Sequence, residues 1–440
     1  MERRGVRRAV SGGKHDRGVV PEARWAGGCE GRGGSAGGGA VTGWEARRGG
    51  GGTAWEGRGK AQAGGGEAAQ KVFDVTQYGA IADGKTDSTQ AFSDAWKAAC
   101  EFNGSASLAI PQGTFFVGPG TLKAPSRLNN FTSVGWLEFS HLDKLVVDGG
   151  GILDGQGAEA WNLTTCPGRK NCKNLPLSMR FCKISNAKIA NLTLLDSKGF
   201  HMSIQKSSNV TVRNLNISAP ENSHNTDGIH ISGSNNIDLA TLTIGTGDDC
   251  ISIGQGNTNV SISNVACGPG HGISIGSLGK YKNEKNVAGI NVKNCTVLGT
   301  SNGIRIKTWP GAPPSEASDI IFEDIVTENV SNAIIIDQEY CPGHHCSNEP
   351  SGVKIRNVTY RRIRGTSNKA VAVNFICSQL VPCENVTLHD INLEFVSSSG
   401  SSGITSSHIQ KNSSLVQNVT SSCLNVKGMA LGIQKPATCL

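Results

Sequence analysis

One strand-like pattern recurs eight times between residues 187 and 393. Each copy alternates apolar and polar residues and places Asn, Asp or Thr at its fifth position, and the copies begin at Ala187, Val210, Ile237, Val260, Ile290, Ile320, Val353 and Val386. Successive copies start 23 to 33 residues apart. Alternation with period two predicts strands whose apolar side chains face inward. A repeat kept in phase at this spacing is typical of a solenoid of stacked coils.

A second strand accompanies each of the later copies, as in Gly228-Ile229-His230-Ile231 and Ala333-Ile334-Ile335-Ile336. Several short strands per coil, with Gly and Asn at the corners and no helical spacing between them, predict an all-β fold, a right-handed parallel β-helix. An all-β sandwich is the alternative, and it is disfavoured because sandwiches do not keep this repeat phase.

The first 70 residues differ from the rest of the chain. They hold 22 of the 58 glycines and 12 of the 42 basic residues, and they contain almost no Ile, Leu or Phe. Because such a segment buries too little apolar surface to offset chain entropy, we expect a disordered leader over residues 1–70 and one domain over residues 71–440. A misplaced start codon would also explain the leader. Its Arg-Gly runs resemble nucleic-acid-binding segments, but we expect no nucleic-acid partner.

The domain is expected to begin with a strand near Lys71 and then a helix over residues 87–100. The helix has a polar start, and Ala91, Ala95, Trp96 and Ala99 follow at helical spacing. A short helix at this point would cap the open end of the solenoid, whose bare edge is otherwise prone to aggregation.

Cysteines and glycosylation sequons indicate a secreted protein. Thirteen cysteines follow residue 70, and close pairs suggest the bridges Cys166–Cys172, Cys250–Cys267, Cys341–Cys346, Cys377–Cys383 and Cys423–Cys439, which leave Cys100, Cys182 and Cys295 over. Spacing alone does not determine the connectivity. No paired short-spaced Cys/His cluster predicts zinc. Thirteen Asn-x-Ser/Thr sequons fit the same compartment, although Asn191, Asn209, Asn216 and Asn259 fall where the Asn can serve a turn instead. No apolar stretch of secretory-signal or transmembrane length is readable, and we expect no membrane partner.

Four polar signatures interrupt the repeat: Asn225-Thr226-Asp227, Gly247-Asp248-Asp249, Gly270-His271-Gly272 and Arg305-Ile306-Lys307. When the accompanying strands are aligned on their Ile pairs, the residues just before the four strands are Asp227, Asp249, His271 and Asn302. Stacked coils would bring these side chains together with Asp248, Arg305 and Lys307. Three carboxylates, an imidazole and two cations in one patch suit acid–base cleavage of an anionic polymer. Each signature alone is a common turn or surface feature, and it is their co-location that favours catalysis.

The four signatures, in this order, resemble those of the polygalacturonases, glycoside hydrolase family 28, over about Val72 to Cys439. The resemblance implies a right-handed parallel β-helix that hydrolyses the α-1,4 bonds between galacturonic acid units of pectin with inversion and without a metal or cofactor. It also implies that Asp248 is the general acid, that Asp227 and Asp249 activate water, and that His271 tunes the acid. Binding of the sugar is implied for Arg305, Lys307, Tyr340 and Asn225.

The loop from Gly276 to Lys285 resembles that of plant exopolygalacturonases of the pollen type, and Phe200-His201-Met202 and Cys341-Pro342 are also similar to plant sequences. A charged loop beside the cleft could close one end and favour release of single sugars from the non-reducing end. His224 departs from the family, which usually has Pro before the Asn-Thr-Asp motif.

We expect a secreted monomer of the cell wall. Endo action, a calcium-dependent pectate lyase and a non-catalytic pectin-binding protein are the alternatives.

Overall fold

A computed structural model describes residues 45–48, 70–101, 105–109, 111, 114–116, 120–124, 126, 128, 134–161, 175–342, 346–397 and 418–440. Its helices are α1 (Thr89–Glu101) and α2 (Ala158–Trp161), and a 3₁₀ turn covers Val75–Tyr78. The strands of the described residues are β1 (Glu45–Arg48), β2 (Gln70–Asp74), β3 (Asp83–Asp87), β4 (Ser105–Ala109), β5 (Thr114–Phe116), β6 (Thr121–Lys123), β7 (Gly135–Ser140), β8 (Leu145–Asp148), β9 (Ile152–Asp154), β10 (Leu177–Cys182), β11 (Ser185–Leu195), β12 (Met202–Gln205), β13 (Ser208–Ser218), β14 (Ile229–Ser232), β15 (Asn235–Gly245), β16 (Ile251–Ile253), β17 (Thr258–Cys267), β18 (Ile273–Leu278), β19 (Val287–Leu298), β20 (Asn302–Thr308), β21 (Ser315–Val330), β22 (Asn332–Asp337), β23 (Val353–Ser367), β24 (Val371–Ile376), β25 (Cys383–Phe395), β26 (Thr420–Leu424) and β27 (Val426–Lys435).

Two parallel sheets wind along the chain and confirm the predicted β-helix. The first sheet, here the long-strand sheet, joins β8, β11, β13, β15, β17, β19, β21, β23, β25 and β27 in that order. The second, here the short-strand sheet, joins β7, β10, β12, β14, β16, β18, β20, β22, β24 and β26. Consecutive coils therefore contribute one strand to each sheet, and the eight copies of the repeat are strands β11 to β25 of the long-strand sheet.

The fifth position of every repeat copy bends its strand. All eight of these residues have positive φ, from 52° to 57°: Asn191, Asn214, Thr241, Asn264, Asn294, Asp324, Asn357 and Asp390. Asn and Asp tolerate this left-handed conformation better than most residues. In seven copies this residue is the corner of the coil. The copy that starts at Val353 was predicted out of phase, because Ile320 pairs with Val358; Asn357 therefore lies at the other corner, next to Asp319, and Arg362, with φ 53°, takes the bend.

A second corner carries an asparagine ladder. The Asn209 side chain donates to Asn186 at 3.0 Å, Asn236 donates to Asn209 at 3.0 Å, and Asn259 donates to Asn236 at 3.2 Å. The sequons at Asn209 and Asn259, like Asn191 at its bend, therefore serve turns as predicted. Asn216 differs, because it lies exposed in the middle of β13.

The core fills the space between the two sheets. Every described coil adds inward-facing Ile, Val or Leu side chains, and those of Ile229, Ile251, Ile273 and Ile304 are fully buried. Since buried apolar area is the main source of stability, each stacked coil stabilises its neighbours.

Helix α1 covers the start of the solenoid, where the sequence predicted a capping helix. Its inner face buries Ala91, Phe92 and Ala95, and Phe92 packs edge-on against Phe115 with ring centroids 5.6 Å apart. Within the predicted leader the structure describes one strand, β1, which pairs antiparallel with β8. The remainder of residues 1–69 lies outside the described residues, so the boundary near residue 70 stays a prediction.

Four of the predicted disulfides are present among the described residues: Cys250–Cys267, Cys341–Cys346, Cys377–Cys383 and Cys423–Cys439. The expectation that Cys182 is left over was wrong, because Cys182 is disulfide-bonded. The predicted pair Cys166–Cys172 lies outside the described residues. Cys295 is a buried free thiol, as the odd count required.

Candidate active site

The predicted column of polar residues is confirmed by the strand register. Ile229 pairs with Ile251, Ile251 with Ile273, and Ile273 with Ile304 across the short-strand sheet. The backbone continues this register upstream, since the amide of Gly228 donates to the carbonyl of Asp249 at 2.9 Å. Asp227, Asp249 and His271 therefore lie on consecutive coils at the amino ends of adjacent strands.

Tight turns hold the acidic residues at this edge. The Thr226 hydroxyl donates to the Ser223 carbonyl at 2.8 Å and accepts from the Gly247 amide at 3.1 Å, which ties the Asn-Thr-Asp turn to the next coil. A Cβ at Gly247 would lie 2.0 Å from the Ser223 carbonyl oxygen. Only glycine permits this approach of the two backbones, which explains the first residue of the Gly-Asp-Asp motif.

Asp249 lies at the centre of a buried cage of donors. Arg305 Nη2 donates to Oδ1 at 2.8 Å and Lys307 Nζ donates to Oδ2 at 2.6 Å, while the Ser274 hydroxyl donates to Oδ1 at 2.8 Å. The Asp249 side chain is 2% exposed. Burial acts to raise the pKa of Asp249, but Lys307 and Arg305 outweigh it and lower the pKa to about 2. Asp249 is therefore ionised at ordinary pH.

Asp227 is also buried, and among the described residues no cation forms an ion pair with it. The Ser252 hydroxyl donates to its Oδ2 at 2.6 Å. Burial, followed by the charges of Asp248 and Asp249, raises the pKa of Asp227 well above its usual range. The two neighbouring carboxylates thus add to the effect of burial on Asp227.

Asp248 is the most exposed of the three carboxylates, with a side chain 20% exposed. His271 Nδ1 lies 3.0 Å from its Oδ1, and Asn225 Nδ2 donates to its Oδ2 at 3.4 Å. The structure therefore brings His271 and Asn225 to the carboxyl group that the resemblance assigns as the acid. Since Asn225 was expected to bind substrate, its contact with Asp248 adds a second role.

Arg305 and Lys307 lie on the outer face of β20, but their side chains are largely withdrawn from solvent. The two residues are only 8% and 5% exposed, because Asp249 draws both side chains into the site. Arg305 also donates from Nε to Ser274 at 3.0 Å. Tyr340 covers the pair, with its ring centroid 5.1 Å from Lys307 Nζ and 5.7 Å from Arg305 Cζ. The predicted Tyr340 is thus part of the same cluster.

An aromatic and basic cleft adjoins Tyr340. Trp309 packs edge-on against Tyr340 at 5.7 Å, and Lys280 Nζ lies 5.4 Å from the Trp309 ring centroid. A cavity of about 260 Å³ follows, lined by Gly279, Lys280, Tyr281, Lys282, Trp309, Pro310, Gly311 and Pro313. Glu284 accepts from the amides of Gly279 and Tyr281, at 2.7 and 2.9 Å, and so braces the loop. The charged loop predicted from the sequence therefore borders this cleft.

Asp248, Asp249 and His271 place donor atoms within 4.8 Å of one another, which is close enough to share a cation. Both oxygens of Asp249, however, already accept from Arg305 and Lys307. A dication here would have to lie beside two fixed positive charges. The donor set is therefore better matched to an ion-pair network than to a metal.

Sequence reasoning missed the hydroxyls that hold the carboxylates. Ser252 and Ser274 occupy the middle positions of the Ile-x-Ile strands, and His230 and Arg305 occupy the same column. The signal was available, because the middle residue of each strand points away from the apolar pair and toward the site.

Comparison with known proteins gives a consistent result. The family Glycosyl hydrolases family 28 matches residues 101–423. The chain is 42% identical over 384 residues to an exopolygalacturonase of Platanus acerifolia, covering 83% of this chain and 97% of that protein. It is 44% identical over 386 residues to a polygalacturonase of Gossypium barbadense, covering 84% of this chain and 90% of that protein.

Solved structures support the fold. An exopolygalacturonase from Thermotoga maritima superposes with a TM-score of 0.55 at 18% identity, covering 75% of this chain and 88% of that one. An endo-xylogalacturonan hydrolase from Aspergillus tubingensis also gives a TM-score of 0.55, at 23% identity, covering 82% of this chain and 100% of that one.

Proposed function

Because the chain belongs to glycosyl hydrolase family 28, we propose that it hydrolyses the α-1,4 bonds between galacturonic acid units of pectin and polygalacturonate. The observation that carries the proposal is the convergence of three carboxylates with Arg305 and Lys307 on consecutive coils. Carboxyl groups supply the acid and the base of glycoside cleavage, and the cations suit an anionic sugar.

Asp248 is assigned as the general acid that protonates the leaving oxygen. It is the most exposed of the three carboxyl groups, so it is the one that a glycosidic oxygen can approach. His271 and Asn225 bond its two oxygens and orient the group. His271 is therefore a positioning residue in this mechanism.

Asp227 is assigned as the general base that activates water. A base works best when its pKa lies near the working pH, and the pKa of Asp227 is raised toward that range. Asp249, whose pKa is about 2, is a weak base. Both had been expected to activate water. We assign Asp249 instead mainly to the orientation of Arg305 and Lys307, while its charge also polarises the attacking water.

Arg305, Lys307 and Tyr340 are assigned to the carboxylate of a bound galacturonate. Arg305 uses Nε and Nη2 in its contacts with Ser274 and Asp249, so among the described residues Nη1 has no hydrogen-bond partner. Lys307 uses one donor on Asp249. The remaining donors can reach a sugar carboxylate, and Tyr340 offers a ring on which a pyranose can stack.

Exo action, with release of galacturonic acid from the non-reducing end, is the mode we infer. Exopolygalacturonases among the relatives, such as those of Platanus acerifolia and Oenothera organensis, support it. The braced loop with Lys280 and Tyr281 supports it as well, because a fixed charged wall limits where a long polymer can lie. Relatives named simply polygalacturonase keep endo action as the alternative.

Secretion to the cell wall, as a monomer, completes the proposal. Disulfides are typical of oxidising compartments, and the described residues contain four complete bridges. No helix in the described ranges is both long and apolar enough to cross a membrane.

A digest of polygalacturonate tests the activity and its mode together. The proposal predicts saturated galacturonic acid as the main early product, slow loss of viscosity and full activity in a chelator. A ladder of oligomers with rapid loss of viscosity would replace exo by endo action. Unsaturated products that disappear with the chelator would identify a lyase and overturn the proposal.

A further inference from the structure

A chain of hydrogen bonds leads from Asp227 through Ser252 to His230. The Ser252 hydroxyl donates to Asp227 Oδ2 at 2.6 Å, and the same hydroxyl lies 2.8 Å from His230 Nδ1. His230 and Ser252 are register partners on β14 and β16, so the sheet itself sets this contact. Ser252 is 3% exposed, which keeps water from replacing the bond easily.

The surroundings of His230 fix its ring. Phe200 packs against the imidazole with ring centroids 5.1 Å apart. On the next coil, a Cβ at Gly254 would lie 3.2 Å from Cε1 of His230, so the missing side chain leaves room for the ring. The imidazole therefore has one orientation, with Nδ1 toward Ser252.

When Asp227 is ionised, the two hydrogen bonds of Ser252 can have only one combination of donor and acceptor. Ser252 has a single proton, which it gives to the carboxylate, so its oxygen must accept from His230. His230 is then neutral with its proton on Nδ1. Burial lowers the pKa of His230 to about 4, which keeps the ring neutral at ordinary pH.

We propose that His230 is a positioning residue for the carboxylate of Asp227 and acts on it through the hydroxyl of Ser252. The proposal rests on the assignment of Asp227 as the base in the proposed function. By donating toward Ser252, His230 polarises the hydroxyl and favours the ionised form of Asp227. These hydrogen bonds thus counteract the effect of burial and of the charges of Asp248 and Asp249 on Asp227. They keep Asp227 ionised at a lower pH than it would otherwise be.

The charged groups around this chain are few. Asp248, Asp249 and Lys307 face Asp227, and Asp249 and Lys307 act on His230. Asp249 is ionised down to about pH 2, and Lys307 is bound to it. The acid limb of the pH profile therefore reports Asp227 under the proposed roles.

The test is the dependence of kcat/KM on pH for two pairs of variants. Ser252→Ala and His230→Phe remove the donors, whereas Ser252→Thr keeps a hydroxyl and His230→Asn keeps an N–H near the Nδ1 position. We expect the first two to move the acid limb upward by about one pH unit, the size of one charge-assisted hydrogen bond. The conservative variants should move it by less than about 0.3 unit.

Two further variants sharpen the result. The double variant Ser252→Ala/His230→Phe should shift the limb no further than Ser252→Ala, because the two residues act in series. Ser203→Ala removes a buried hydroxyl of the same column that accepts from the Gln205 amide, and it should leave the acid limb in place. An unshifted limb in Ser252→Ala, or a shift in Ser252→Ala without one in His230→Phe, would overturn the proposal.

A measurement that needs no activity separates this proposal from the proposed function. Nitrogen NMR of histidine-labelled protein at alkaline pH should show His230 protonated at Nδ1, with the signal assigned by its loss in His230→Asn. A ring protonated at Nε2 would overturn the proposal even in an active enzyme. If His230→Phe fails to fold, the Ser252 pair and this spectrum decide the question. A wild-type protein that releases no sugar would refute the function alone.

Discussion

Asp249 and Lys307 form a 2.6 Å ion pair although 58 residues separate them in the chain. Only the coil that contains β18 lies between their coils, and Arg305 joins the same carboxylate from the coil of Lys307. The pair links an acidic turn to a basic strand, and it draws both cations out of solvent. Removing any one member leaves the others buried without full compensation of charge, which is costly.

Asp248→Asn should abolish most of the activity while leaving the fold intact. The amide keeps the shape of the carboxyl group and can still contact His271, but it cannot protonate a leaving oxygen. We expect kcat to fall by about 10²–10⁴-fold, with binding of galacturonate oligomers nearly unchanged. Kinetics and calorimetric binding on the same variant measure the two quantities. Unchanged kcat would show that the chain does not use Asp248 as its acid.

Asp227→Asn should stabilise the protein at neutral pH even as it inactivates it. A carboxyl group with a raised pKa binds its proton more tightly when folded than when unfolded, so stability falls as pH rises through that range. An amide does not ionise and escapes this penalty. We expect the free energy of unfolding at pH 7 to rise by about 1–2 kcal/mol.

The control for that variant is Asp238→Asn, which alters a partly exposed carboxylate paired with Arg213. It should change stability by less than about 1 kcal/mol. Denaturant unfolding at pH 7 and at pH 4 checks both, since the gain for Asp227→Asn should shrink as pH falls. A loss of stability at pH 7 in Asp227→Asn would contradict the raised pKa of this buried carboxyl group.

Asp249 should contribute to acid unfolding with the opposite sign. Its pKa is about 2 in the folded state, below its usual value near 3.8, so its contribution is present above pH 4 and is lost as pH falls through 2. We expect about 2 kcal/mol to disappear over that interval in the wild type. Asp249→Asn should be less stable at pH 7 and should lack this part of the pH dependence. An identical acid limb of stability in both proteins would refute the ion-pair cage.

The Cys250–Cys267 disulfide should stabilise the turn that carries Asp249, because Cys250 directly follows Asp249. It closes a loop across 17 residues, and removing it with Cys250→Ala/Cys267→Ala should cost about 3 kcal/mol. The buried free thiol offers a control for packing, since Cys295→Ala removes one buried sulfur atom, half the number lost in the double variant, without breaking a crosslink. Thermal unfolding of the two variants should differ clearly. Equal losses would show that packing, rather than the bridge, stabilises this turn.

Much of the site could be predicted because the repeat sets the register. Period-two alternation in Ile229-His230-Ile231 and Ile251-Ser252-Ile253 leaves one way to stack the strands with Ile inward, and this places Asp227 beside Asp249. The sequence pattern shows Asn, Asp or Thr at the fifth position of each copy. It does not show that these residues adopt the left-handed backbone conformation.

Other features depend on reach and burial, which a sequence pattern does not contain. Arg305 was expected to bind the sugar, but the pattern does not show that its long side chain also folds back to Asp249. The raised pKa of Asp227 depends on how fully its carboxyl group is enclosed. The bonding of Cys182 was likewise missed, because spacing alone does not determine which cysteines pair.

The anomeric form of the first sugar released from polygalacturonate tests the central account most directly. Proton NMR during the first turnovers should show the β anomer, because water activated by Asp227 attacks the face opposite the oxygen that Asp248 protonates, and the signal should vanish in Asp248→Asn. Release of the α anomer would mean a covalent intermediate and a different use of these carboxylates. An undiminished signal in Asp248→Asn would place the chemistry elsewhere on the molecule.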